Sequence, residues 1–170
     1  LREKRSSLYS DSIDGKQVMQ IFSLKDKPHH LLPLAEWHHA EWSYLNPDRS
    51  FDERVQEMRE DLEGKVIPTT FVAEENGALL GSACILADDM STHPELTPWL
   101  ASVYVNQTLR GKGIGSTLVK RVMQHAKDNG IKRLYLYTPD QEQLYARLGW
   151  QEHSRELYNG TPVTIMLIDL

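Results

Sequence analysis

A mixed α/β fold, one sheet with helices on its faces, is predicted by three features of the chain. Apolar residues switch along it between alternating and helical spacing. Two Asn-Gly pairs, Asn76-Gly77 and Asn159-Gly160, each stand between strand-like runs, and Asn-Gly is the preferred pair for a two-residue type I′ hairpin turn. A glycine-rich stretch, LRGKGIGSTLVKRV at 109–122, leads from a strand pattern straight into a long helical one. Read in order, the elements run β-α-α-β-β-β-α-β-α-β-β, which is one mixed sheet.

KQVMQIFSL, 16–24, reads as the first strand. Pro28 and Pro33 flank or open a helix running to about Tyr44 and rich in Leu31, Leu34, Trp37 and Trp42; Asn46-Pro47 breaks it. Ser50 with Glu53 three residues on is a capping box for a second helix. Its apolar stripe is Phe51, Val55, Met58 and Leu62, at spacings of four, three and four. TTFVAEE and ALLGSACILA are the arms of the first hairpin, and WLASVYV, 99–105, is the next strand. After the glycines, Ile114, Leu118, Val119, Val122, Met123 and Ala126 form one helix face that ends at Asn129-Gly130. RLYLYT, 133–138, is a strand, DQEQLYARLGW a short helix with an exit turn, and QEHSRELY with TPVTIMLIDL the closing hairpin.

The 170 residues suggest one domain over 1–170, with residues 1–15 an extended N-terminal segment. No stretch approaches 18 apolar residues, so no membrane span is expected. LREKRSSLYSDS lacks the apolar core of a secretory signal. The chain opens on Leu1 rather than Met, as expected if residues were lost or processed. One cysteine, Cys84, permits no intrachain disulfide and fits a cytoplasmic location. A net charge of −5 argues against nucleic acid and suits a cationic or amine-bearing partner.

Glycine is costly to order, so three of them (Gly111, Gly113 and Gly115) in five residues need a reason. A helix start presents unpaired N–H groups and partial positive charge. Glycines before it let the backbone curl and a ligand approach with no Cβ in the way. Arg110, Lys112 and Ser116 add charge and a hydroxyl, and the whole stretch reads as a phosphate cradle. It is not a P-loop, because no Gly-Lys-Ser/Thr is present. It is not a dinucleotide fingerprint either: the sixth position is Ser116 from Gly111 and Leu118 from Gly113.

R-G-K-G-I-G, 110–115, resembles the Arg/Gln-x-x-Gly-x-Gly/Ala signature of the GCN5-related N-acetyltransferase (GNAT) superfamily. QLYARLGW, 143–150, resembles the tyrosine-bearing helix and Gly-aromatic exit of the same family, and the likeness spans roughly 16–170. It implies a GNAT fold: a mixed, twisted sheet of six to seven strands, about four helices, and splayed fourth and fifth strands. It implies acetyl-CoA as acetyl donor, with the pyrophosphate on amides of about 110–116, including those of Gly111, Lys112, Gly113, Ile114, Gly115 and Ser116. Backbone groups of Val103, Tyr104 and Val105 would carry the pantetheine, and an amide there would polarise the carbonyl. Tyr145 would be the general acid, a phenol protonated at neutral pH. Thr138 stands where the family often has Asn, and its cofactor contact is expected to be weaker or to come from backbone.

Trp99 occupies the position of the glutamate base of histone-type members. An amine of pKa about 10.4 is neutral in only about one molecule in two thousand at pH 7. Deprotonation is therefore expected to run through water or a loop residue, with His93 and Glu95 the nearest candidates. His29, His30, His38 and His39 form adjacent pairs nine residues apart, which make no i, i+4 ligand face, so no metal is expected. The partner implied is an amine of a small molecule or peptide, attacked directly in a ternary complex, with no nucleic acid and no membrane; a homodimer is compatible. A non-catalytic acyl-CoA-binding or regulatory module on the same fold is the alternative.

Overall fold

The structure is a computed structural model and describes residues 18–170. Seven strands make one sheet: β1 (Gln20–Ser23), β2 (Thr69–Glu75), β3 (Ala78–Leu86), β4 (Trp99–Val105), β5 (Arg133–Thr138), β6 (Gln151–Tyr158) and β7 (Thr161–Asp169). Their order across the sheet is β1-β2-β3-β4-β5-β7-β6. Every pairing is antiparallel except β4 with β5. The parallel step needs a crossover, which α3 (Ile114–Asp128) supplies. Helices α1 (Leu31–Trp42), α2 (Phe51–Met58) and α4 (Glu142–Arg147) complete the fold. No helix among the described residues is long and apolar enough to cross a membrane.

Local chemistry explains the elements. Both Asn-Gly turns have positive φ at both residues: 51° and 79° at Asn76-Gly77, 47° and 81° at Asn159-Gly160. That is the type I′ conformation their composition predicts. Ser50 accepts from Glu53 N at 3.1 Å, and Ser50 N donates to Glu53 Oε2 at 2.8 Å, which completes the capping box. Boundaries differ from expectation at two places. The first strand is only Gln20–Ser23, with Val18 and Met19 ahead of it, while residues 16 and 17 lie outside the described residues, as does the proposed N-terminal segment. The helix expected from Pro28 begins as a 3₁₀ turn, Pro28–His30, and becomes α-helical at Leu31.

Two cores form because alternate residues of the strands face opposite sides. Phe71 and Ala73 join Leu118, Val119, Val122 and Ala126 of α3 on one side. Val72 joins Leu31, Leu34, Ala35, Val55 and Met58 of α1 and α2 on the other. A third cluster, around Trp99, Tyr158, Val163 and Ile165, lies toward the β7–β6 end.

Asp61, buried in the turn after α2, accepts a hydrogen bond from Thr70 Oγ1 at 2.9 Å. Desolvation outweighs that bond and raises its pKa from 3.8 to about 6. The folded state therefore holds this proton more tightly than the unfolded chain does. The contribution to stability is intact below about pH 4 and is lost as pH rises through 6. Asp61→Asn keeps the acceptor and removes the charge. At pH 8 its thermal midpoint should exceed that of the wild type by several degrees, corresponding to about 2–3 kcal/mol. At pH 4 the two should coincide. Equal midpoints at both pH values would show that the carboxylate is not desolvated.

Candidate active site

β4 and β5 pair only at Trp99 and Tyr135, next to the Tyr135 N to Pro98 O bond of 3.0 Å. Beyond that point no ladder joins them, and the strands part. The cause sits on the opposite edge of β4. Between the pairs Ser82–Tyr104 and Cys84–Ala101, β3 contributes only Ala83 while β4 contributes Ser102 and Val103. The extra residue is a β-bulge, which bends the strand and sharpens its twist. Ser102 takes φ +51° there, a strained value for a residue with a Cβ.

Two side chains hold the bulge. Ser82 Oγ donates to Ser102 O at 2.8 Å, and His38 Nε2 lies 2.8 Å from the same Oγ. The serine proton is committed to Ser102, so His38 Nε2 is the donor. Burial, reinforced by Arg54 and Arg49, lowers the His38 pKa to about 3, so the ring is neutral. β3 also lies so close that a Cβ at Gly81 would collide with the Tyr104 carbonyl.

The parted strands open a cleft of about 630 Å³. At one end stand the glycines. Gly111 and Gly113 have φ of +81° and +83°, and Gly113 caps α3 with no side-chain bond to the helix. The first helical acceptor bond runs from Thr117 N to Gly113 O at 3.1 Å. The amides of Ile114, Gly115 and Ser116 are thus the free N–H groups of the helix start. A Cβ on Gly113 would meet nothing within 4 Å. Gly111, Gly113, Ile114, Gly115 and Ser116 all line the cleft. Arg110 does too, but it is tethered: Nε donates to Val105 O at 2.9 Å, and its guanidinium lies 5.3 Å over the Tyr104 ring. Lys112 is exposed and lies off the cleft. Val103, Tyr104 and Val105 form the β4 wall.

Thr138 and Tyr145 sit on the β5–α4 side. Thr138 Oγ1 accepts from Gln141 N at 3.0 Å and from Asp140 N at 3.4 Å, so its oxygen shapes the turn into α4. Tyr145 is buried, with its ring 6.2 Å from Trp150, and its phenol is pushed well above 10 by burial and by Asp140. The proton stays on the phenol throughout the physiological range.

The far end carries residues that the sequence reading missed. Arg49, Arg54, Asp89, Asn46 and Ser102 line the cleft and also a second one of about 790 Å³. Desolvation raises Asp89 from 3.8 to about 7 against the opposing pull of Arg49 and Arg54. A signal existed for Arg54 and Asp61: both fall on the apolar face of the second helix, three residues from Phe51 and from Met58 respectively. Nothing in the sequence marked Asp89.

Other candidates are placed elsewhere. His93 lines neither cleft; its ring is held between Glu95 and Glu156 at 2.8 Å, and both carboxylates raise its pKa. Neither His93 nor Glu95 is positioned as a base. Trp99 is buried and donates to Leu96 O at 2.6 Å. Trp42 lines the cleft, whereas Trp37 packs on the α1–α2 core. Tyr135 and Tyr137 pack on the Trp99 cluster, and Tyr137 also borders the cleft. Buried Cys84 borders only the second cleft. His29, His30 and Glu74 bring ligand-type atoms within 4.8 Å of one another. Glu74 there is bonded to His30 at 2.6 Å and to Lys27 Nζ at 3.1 Å.

Residues 31–150 match the model of the Acetyltransferase (GNAT) family. A mycothiol acetyltransferase of Parafrankia sp. (strain EAN1pec) is 30% identical over 109 residues, 54% of this chain and 34% of that protein. N-alpha-acetyltransferase 80 of Mus musculus is 42% identical over 50 residues, 29% of this chain and 16% of that protein. The matched region spans about a third or less of the length of these relatives. In structure, the chain is similar to YncA of Salmonella typhimurium, solved with its cofactor acetyl-CoA. The TM-score is 0.67 at 19% identity, over 89% of this chain and 93% of that one.

Because Gly113 faces open space, Gly113→Val should block an anion without disturbing the core. The positive φ adds strain of about 1–3 kcal/mol, lowering the thermal midpoint by less than about 10 °C. Calorimetry should show acetyl-CoA affinity reduced at least about tenfold, equivalent to about 1.4 kcal/mol. Wild-type affinity in the folded variant would remove the cradle.

Proposed function

Since this chain belongs to the acetyltransferase (GNAT) family, we propose that it transfers an acetyl group from acetyl-CoA to a primary amine of a small molecule or peptide, by direct attack in a ternary complex. One observation carries the reading. A single cleft runs from the free amides of α3 to Asp89 and the arginines, and it communicates there with a second cleft. Two substrates can enter from different sides and meet beside the β4 bulge.

The residues fit a coenzyme A pyrophosphate at the glycine end, where amides of 114–116 converge and no Cβ intervenes. Acetyl-CoA, when bound, supplies the acetyl thioester. Unpaired backbone groups on the β5 side of β4, at Val103–Val105, offer hydrogen bonds to an extended arm and an amide to polarise a carbonyl. Arg110 already donates to one acceptor there, Val105 O, and keeps the strand end in place. Tyr145 holds a proton at its phenol oxygen, available to a departing sulfur. Asp89, with a pKa of about 7, accepts the proton that the incoming amine must lose.

Free thiol release with acetyl-CoA and a panel of amines tests the activity itself. Tyr145→Phe keeps the ring and removes the proton. Its kcat should fall about a hundredfold, with acetyl-CoA affinity nearly unchanged. Unchanged turnover, with chemistry rate-limiting, would reduce Tyr145 to a packing residue.

The proton acceptor has its own signature in the pH profile. With Asp89 in that role, kcat/KM should rise to about pH 7 and then level. Asp89→Asn should be slower and climb steadily to about pH 9, following the neutral fraction of the amine. His93→Ala should stay within about tenfold of wild type, since His93 lies outside the cleft. A wild-type profile that keeps climbing past pH 7 would exclude Asp89 as the base.

A further inference from the structure

Arg54 is a buried cation without a counter-ion. It is 4% exposed, projects from α2 and lines both clefts. Its Nε has no hydrogen-bond partner, and it forms no ion pair among the described residues. Burial lowers its pKa to about 10, which still leaves it charged at neutral pH. Proteins rarely bury a guanidinium that nothing pairs. Arg49 stands beside it, its own Nε unpartnered and its Nη2 paired with Glu57.

Glu57 compensates Arg49, but no neighbour forms an ion pair with Arg54. His38 is neutral, and its Nε2 is committed to Ser82. Asp89 is the acid that both arginines act on, yet it forms no ion pair with either, and desolvation keeps it partly protonated near pH 7. With Arg49 paired to Glu57, Arg54 is the positive charge left without an ion pair at the inner end of the cleft. The rim of the second cleft has the opposite sign, with Asp48, Glu60 and Asp88 exposed on it. That rim draws in an ammonium and repels a polyanion. The inner end wants one compact anion, and a guanidinium takes a carboxylate through paired N–H bonds.

We propose that the acceptor amine carries a carboxylate, held by Arg54 with Arg49 while its amino group faces Asp89. This names the acceptor class for the acetyltransferase reading and rests on it. Two sources share that chemistry, a free amino acid and a peptide whose first residue is acidic.

The test compares matched acceptors in the acetyl-CoA-dependent thiol assay. Glycine, β-alanine and L-alanine are set against their carboxamides or decarboxylated amines. A C-terminally amidated tripeptide beginning with aspartate is set against one beginning with asparagine. The carboxylate member of the accepted pair should have a kcat/KM at least about tenfold higher, and which pair responds separates free amino acid from peptide. Arg54→Gln should bring that ratio toward one through KM, leave acetyl-CoA affinity unchanged, and raise the thermal midpoint of the ligand-free protein because an unpaired buried charge is gone. If Arg54→Gln does not fold, Arg49→Gln should lower the same ratio. No preference for the carboxylate, or a ratio that survives both substitutions, overturns the proposal.

A failure of acetyl transfer itself is read separately. N-acetylglycine should raise the thermal midpoint of the wild type, N-acetylglycinamide should not, and Arg54→Gln should abolish the difference. If no amine is acetylated but this pattern holds, the anion site stands and the transferase reading falls. If neither N-acetylglycine nor the N-acetylated aspartyl tripeptide amide affects the wild type, the anion site falls whatever the activity.

Discussion

The chain of hydrogen bonds from His38 through Ser82 to the Ser102 carbonyl is the constraint on which the site depends. It ties α1 to β3 and β3 to the bulge in β4. The bulge carries a residue at φ +51°, a conformation that persists only where surroundings over-determine it. Because β4 bends there, it leaves β5 after the single Trp99–Tyr135 pair. A regular ladder would have consumed the β4 edge and closed the sheet. The bend instead exposes backbone groups in a partly apolar slot, where a hydrogen bond is worth more than in water. Gly81 permits the arrangement from the other side, since a side chain there would strike the Tyr104 carbonyl.

The same region concentrates groups whose protonation the fold has altered. His38 is held neutral, Tyr145 is held protonated and Asp89 is brought to about 7. All three shifts have burial as their largest cause, and each opposes the charged form. Of the three, only Asp89 is brought to where a proton can move near neutral pH. The glycine end is the reverse case. It presents no titratable group, only backbone dipoles at the start of α3, and those do not change with pH. Arg110, one of the two cations expected to serve that end, instead clamps the end of β4 through Val105 O. The other, Lys112, lies off the cleft.

What could be read from residues alone depended on how local the cause was. Turn chemistry is local, and both Asn-Gly hairpins and the Ser50 capping box have the conformations their composition predicts. Helix and strand periods are local too, so the element order and the stripe Ile114, Leu118, Val119, Val122 and Ala126 were legible. His93 shows the opposite. Its spacing from the strand before the glycines made it a plausible base, but Glu156, 63 residues away, fixes it outside the cleft.

By itself the sequence determined the family likeness, the mixed sheet with its crossover helix, the run of glycines that opens the long helix and the tyrosine on the short helix. Each follows from residue types at fixed, short spacings, where backbone stereochemistry leaves few options. Tertiary structure alone decided where β4 and β5 separate, that Thr138 spends its oxygen on a turn, and that Asp89, Arg54 and Arg49 share one chamber. Those facts depend on which residues from α2, the β3–β4 loop and β4 meet across the sheet. The electrostatics of the chamber come from desolvation, a property of what surrounds a group and not of its neighbours in sequence.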